Sequence, residues 1–232
     1  MKLEANVVYD EDLLEKNYVF FDRQEAGRRL GFFISKKNIP VDIVVAIPAG
    51  GVPVGIEVAK VLNADFNVIV VRKVLYPWTT EAGFGAVAWD GSVELDTLAI
   101  NRAGLTASDV NKQIETAVKE AKKRYEELRR LIPEPDFKGR NVLVVDDGLA
   151  TGYTMMLACK VVKERGASKV MVGVPTGNPR ALSLVSPFVA FIMCLNVRST
   201  PIFAVADAYQ NWYDLSEEEV RTLITNFLKG RA

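Results

Sequence analysis

Asn141 to Thr154, NVLVVDDGLATGYT, holds two adjacent carboxylates, Asp146 and Asp147, followed by a loop of small residues and a helical pattern. Ionised carboxylates only accept hydrogen bonds, so the pair suits hydroxyl groups or a metal-bound ligand. The loop, Gly148-Leu149-Ala150-Thr151-Gly152 with Tyr153-Thr154, feeds a helix start whose unpaired N–H groups and positive dipole end favour a phosphate. Thr151 and Thr154 add hydroxyl donors, and Gly148 and Gly152 permit close backbone approach. Carboxylates beside a phosphate cradle are what a sugar phosphate requires. Two further segments fit the same chemistry. Ala49-Gly50-Gly51, inside IPAGGVP, allows backbone amides to face an anion, and Arg72-Lys73 supplies two cations.

These residues sit where a mainly parallel sheet would bring them together. Val142 to Val145 reads as a buried strand, as do Asp42 to Ile47, Asn67 to Val71, Lys169 to Val174 and Phe188 to Leu195. Helical patterns alternate with them: Asp22 to Lys37, with Ala26, Leu30, Phe33 and Ile34 on one face; Val54 to Leu62; and Thr106 to about Ile132, opened by a Thr106/Asp109 capping box and ended by Pro133 and Pro135. A final helix starts at Ser216-Glu217-Glu218-Glu219. Alternation of this kind predicts an α/β fold with right-handed crossovers and a site at the carboxyl ends of the strands. The loops after Ile47, Val71 and Val145 would then converge. Val74 to Gly104 reads as a long irregular stretch, with one hairpin signal at Asp90-Gly91.

Composition excludes several classes. The 232 residues fit one domain, and 29 basic residues balance 29 acidic ones, which gives no bulk electrostatic case for nucleic acid or membrane partners. Histidine is absent, which removes Ser-His-Asp triads and His-containing metal sites. Cys159 and Cys194 lie far apart in apolar runs, read as free thiols in a reducing cytosol. The N-terminus shows no signal-peptide core, and Val185 to Val197 is too short to span a bilayer, so a cytoplasmic protein is expected.

A receiver domain also ends a strand in Asp-Asp, but there the pair opens the domain and no Ala-Thr-Gly-x-Thr follows. The whole string at 142–154 instead resembles the phosphoribosyl diphosphate (PRPP) signature of type I phosphoribosyltransferases, and Asp22-Arg23-Gln24-Glu25-Ala26-Gly27, Val71-Arg72-Lys73 and the aromatic-acidic ending resemble a prokaryotic group of them. The resemblance implies one domain over 1–232: a core at about 22–198 with a mainly parallel sheet flanked by helices, a flexible loop at about 74–104, and a small hood from the N-terminal segment, residues 199–232, or both. It implies that Asp146 and Asp147 grip the ribose, that residues 148–154 hold the 5-phosphate, and that Ala49, Gly50, Gly51, Arg72 and Lys73 hold pyrophosphate, with Lys73 joining the aspartates in catalysis. The loop at 49–51 would carry a non-proline cis peptide, expected at Ala49–Gly50. Magnesium would arrive on PRPP rather than in a preformed protein site. The implied reaction transfers the phosphoribosyl group to a nitrogenous base. Enzymes acting on 6-oxopurines carry Asp where this chain has Ala150, which argues against those substrates. Tyr209 and Trp212 would stack on the base or pack the last helix onto the body; Asn178 and Arg180 would touch substrate or form a turn. A homodimer is expected. The alternatives are a PRPP-binding regulator of the same fold, for which no basic patch or helix-turn-helix segment is visible, and a PRPP synthetase-like enzyme, for which one domain copy is too few.

Overall fold

The computed structural model describes residues 3–80 and 82–231. Six parallel strands form the main sheet, in the order β1 (Val7–Tyr9), β9 (Phe191–Val197), β8 (Lys169–Gly177), β7 (Asn141–Val145), β2 (Ile43–Ala46) and β3 (Asp65–Val68). β4 (Val71–Leu75), β5 (Gly83–Ala88) and β6 (Val93–Leu95) make a separate antiparallel sheet. The helices are α1 (Arg23–Ser35), α2 (Gly51–Leu62), α3 (Thr97–Ala103), α4 (Ala107–Arg129), α5 (Tyr153–Glu164), α6 (Pro179–Val185) and α7 (Glu217–Lys229). β2, β7 and β8 are buried on both faces, as the near-continuous apolar runs of β2 and β7 require in a sheet covered by helices on each side. No helix among the described residues is long and apolar enough to cross a membrane.

Register decides where the site lies. Ala46 at the end of β2 pairs with Val145 at the end of β7, so the two following loops leave the sheet side by side. α1 is capped by Asp22, whose side chain accepts a hydrogen bond from the Glu25 amide, and it buries Ala26, Leu30 and Ile34. Phe33 is only partly buried at the margin of that face. Gly27 lets α1 lie directly on α2: a Cβ there would stand 2.6 Å from the Val54 carbonyl oxygen. This contact brings Arg23, one turn earlier, beside the loop that opens α2.

Three sequence expectations change. The strand expected over Asn67 to Val71 is two strands in two sheets: Ile69 N–H donates to the Ala46 carbonyl at the last rung of the first, and Trp89 N–H donates to Val70 at the start of the second. The continuous Val-Ile-Val-Val run contains no turn residue to betray the switch. Residues 74–104 are not irregular chain, because they contain β5 and β6, packed on α5, and α3, packed on β5; the hairpin signalled at Asp90-Gly91 joins β5 to β6. The cis peptide is Pro48–Ala49, one bond earlier than expected. Gly50 already has helical backbone and caps α2, so the chain must reverse before it.

Candidate active site

A cavity of about 720 Å³ opens at the carboxyl ends of β2 and β7. Its wall includes Pro48, Ala49 and Gly50 from the first loop, Arg72 and Lys73 from β4, and residues 146–152 with Thr154 from the loop after β7. Three segments read separately in the sequence therefore meet at one opening. Asp146 and Asp147 are half-buried, neither lost in the core nor facing open solvent, and Thr151 shares their cavity.

The acidic pair is tightly framed. Asp146 accepts a hydrogen bond from the Asp147 amide at 2.9 Å. Burial, then the Asp147 charge beside it, push the Asp146 carboxyl well above the usual carboxylate range, against the opposing pull of Lys73 and Arg23. Gly50 faces the second carboxylate so closely that a Cβ there would lie 1.8 Å from Asp147 Oδ2. Asp147 also receives the Arg23 guanidinium, with Nε 2.8 Å from Oδ2, and its backbone carbonyl accepts a hydrogen bond from Tyr209 Oη at 2.6 Å.

The loop after β7 is fastened to β8 and to the start of α6. Leu149 N–H donates to the Thr176 carbonyl, Asn178 N–H donates to Leu149, and the Asn178 side-chain amide donates to the Ala150 carbonyl. Gly152, at φ 90°, turns the chain into α5, whose first-turn amides have no acceptor within the helix. Leu149 is buried beneath the loop. Tyr153 turns away: it lines a neighbouring cavity, where Asp96 accepts its hydroxyl hydrogen bond and burial, reinforced by Asp96, raises its pKa.

Four cations border the opening: Arg23, Arg72, Lys73 and Arg124. Arg72 is ion-paired to Glu120 of α4 at 2.7 Å, and Arg124 to Glu217 of α7 at 2.6 Å. Burial pulls the Arg124 pKa below its ordinary value, with Glu217 opposing that shift. Arg23 and Arg124 escaped the sequence reading of the site. Arg23 stood only in the cue Asp22 to Gly27, with no role at the site, and Arg124 was not singled out. Only the tertiary approach of α1 and α4 reveals them.

The two tail aromatics divide. Tyr209 is 1% exposed, packs against Phe20 and is absent from the cavity wall, so the expectation that it stacks on a base is corrected. Its hydroxyl needs a buried acceptor and finds the Asp147 carbonyl. Trp212 does reach the cavity, with the Arg23 guanidinium 3.8 Å from its ring centroid. Asn178 caps α6, and Arg180 lines the neighbouring cavity. No group of three or more His, Cys, Asp or Glu that could hold a metal exists among the described residues.

The family model of the phosphoribosyl transferase domain matches residues 22–205, most of the chain. The protein belongs to the phosphoribosyl transferase family. A Mycobacterium tuberculosis H37Rv protein with a provisional phosphoribosyl transferase name is 35% identical over 204 residues, covering 87% of this chain and 45% of the relative. The chain thus spans about half the length of the curated relatives it matches. The crystal structure of TT1426 from Thermus thermophilus superposes with a TM-score of 0.72 at 32% identity, covering 90% of this chain and 98% of that one. A shorter similarity, 36% identity over 73 residues, links 31% of the chain to 26% of the ribose-phosphate pyrophosphokinase of Pyrococcus furiosus.

Proposed function

We propose that this chain transfers the 5-phosphoribosyl group of PRPP to a nitrogenous base, releasing pyrophosphate. The observation that carries the reading is the meeting of Asp146, Asp147, residues 148–152 with Thr154, and the loop residues Pro48, Ala49 and Gly50 around one cavity. In this reading the loop amides and the Thr151 and Thr154 hydroxyls hold the 5-phosphate, and the aspartates accept hydrogen bonds from the ribose hydroxyls. As the C1–oxygen bond to pyrophosphate breaks and the C1–nitrogen bond forms, positive charge grows on the ring beside the two carboxylates. Lys73 and Arg72 face the departing diphosphate. The two carboxylates fit magnesium carried on the diphosphate, whose oxygens and retained waters would fill the rest of its coordination. When bound, that ion neutralises leaving-group charge.

Ala150, at the position where an Asp would sit near a 6-oxopurine, supports a different base, and Trp212 offers the acceptor an aromatic plane. Free, buried Cys159 and Cys194 support a reducing, cytoplasmic setting. A homodimer is the assembly we infer, to be checked by sedimentation velocity. The function is tested by calorimetry with PRPP and magnesium, then by a base panel assayed for pyrophosphate release. Release with adenine, uracil or another base lacking a 6-oxopurine ring is expected. Tight PRPP binding with no release for any base would replace transfer with sensing, and no PRPP binding would end both readings.

A further inference from the structure

One arginine in this site has no task in the reaction as proposed, yet it is ion-paired directly to a carboxylate of the acidic pair. Arg23, in the first turn of α1, is 7% exposed and divides its donors between two partners. Nε sits 2.8 Å from Asp147 Oδ2, and Nη1 donates to the Tyr213 carbonyl at 2.8 Å. Trp212 covers the guanidinium face at 3.8 Å. Asp147 is held from its other end by Tyr209 Oη, and Gly50 backs its carboxylate without a side chain. A planar fork fits this arrangement in a way that an ammonium does not, because two donors of one rigid group must reach acceptors on different segments.

We propose that Arg23 is a positioning residue for ribose recognition: pinned between Asp147 Oδ2 and the Tyr213 carbonyl, it fixes the Asp147 carboxylate so that Oδ1 is presented to a ribose hydroxyl. The inference rests on the PRPP reading of the cavity. It also gives the segment around 209–213 a task distinct from touching the base, since Tyr209, Trp212 and Tyr213 hold Asp147 and its arginine in place. Nothing in the contact involves the phosphate loop, whose ties run to Thr176 on β8 and to Asn178, the cap of α6. Sugar and phosphate recognition should therefore separate on substitution.

The test uses ribose 5-phosphate and inorganic phosphate as probes, titrated by calorimetry into the wild-type chain, Arg23→Gln and Arg23→Lys. Loss of a hydrogen bond to a charged group predicts that Arg23→Gln weakens ribose 5-phosphate by about 10- to 100-fold and leaves inorganic phosphate within about twofold. Arg23→Lys, which keeps charge and most of the stem, should fall between, again only for the sugar phosphate; it stands in if the glutamine variant does not fold. Equal losses for both probes would show a structural role, and unchanged sugar affinity would show none; either overturns the proposal. If the wild-type chain binds inorganic phosphate no more weakly than ribose 5-phosphate, the PRPP reading itself falls and takes this inference with it.

Discussion

Gly50→Ala adds one methyl group where the fold leaves no room for it. The new Cβ would stand 1.8 Å from Asp147 Oδ2 and 2.4 Å from Cγ, so restoring an ordinary contact of 3.4 Å requires a shift of about 1.6 Å. The loop cannot simply recoil. Its neighbour Gly51 is already packed so that a Cβ there would meet the Val145 carbonyl at 2.7 Å, and Gly51 N–H is committed to the Ile47 carbonyl. The carboxylate must move instead, and a shift of that size breaks its 2.8 Å bond to Arg23. A lost charge-assisted hydrogen bond costs about 1.5–3 kcal/mol, and overpacking costs about 1–3 kcal/mol before relaxation. We expect a net loss of about 3 kcal/mol, which for a chain of this size lowers Tm by about 6–12 °C. PRPP affinity should fall by about 100-fold or more, because the ribose acceptor is displaced. Differential scanning calorimetry and titration calorimetry measure the two effects. The decisive control is Asp147→Ala: once the carboxylate is gone, adding Gly50→Ala should cost almost nothing further, a coupling of about 3 kcal/mol. Additive losses within about 0.5 kcal/mol would refute the claim that the methyl acts through Asp147.

Asp146→Asn should stabilise the fold while removing PRPP binding. The folded chain holds the Asp146 proton to a higher pH than the unfolded chain does. Wild-type stability therefore erodes as pH rises from the unfolded carboxylate value, about 3.9, towards the folded one. Asparagine escapes that penalty and keeps the acceptor for the Asp147 amide, so urea melts should show a gain of about 0.5–2 kcal/mol at pH 7.5 that vanishes below the unfolded carboxylate pKa. A variant less stable at pH 7.5 would count against a penalised Asp146 charge. Arg198→Met should have the opposite effect: the fully buried guanidinium donates to Asn17 Oδ1 at 2.9 Å and the Ala204 carbonyl at 2.7 Å, and its removal should cost about 2–4 kcal/mol in urea denaturation. Because residues 203–206 line the cavity, PRPP affinity should fall with it, and a loss below about 1 kcal/mol would show that the network is not holding that segment.

What the sequence made legible follows the range of the interactions. The strand ending at Val145, the loop that joins it to α5 and the caps at Thr106 and Ser216 are local patterns, and each appears where expected. β1 was invisible because three residues, Val7 to Tyr9, gain their strand character only by pairing with β9, some 185 positions away. The change of sheet between Val68 and Val71 was hidden for a related reason: both strands are apolar, and the geometry of their partners makes the break. Arg23 and Asp147 are 124 positions apart, and no spacing rule joins them. Tyr209 stood between two readings because an aromatic ring near a site has the same sequence signature whether it faces the ligand or supports the wall.

The site's electrostatics show why its parts come from so many elements. Two carboxylates side by side at the end of one buried strand repel each other and lose hydration, as the raised Asp146 pKa records. No basic residue on β7 itself can relieve them, because side chains along that strand point into the two apolar layers. The compensating charges must therefore arrive across the opening, Arg23 from α1 and Lys73 from β4, with Arg72 and Arg124 completing the set of four cations around the cavity. Two of them are tied back by Glu120 and Glu217, which limits how far each can lean towards the aspartates. In the proposed reading this leaves Lys73 as the cation best able to follow a diphosphate as it departs, while Arg23 stays with Asp147 throughout.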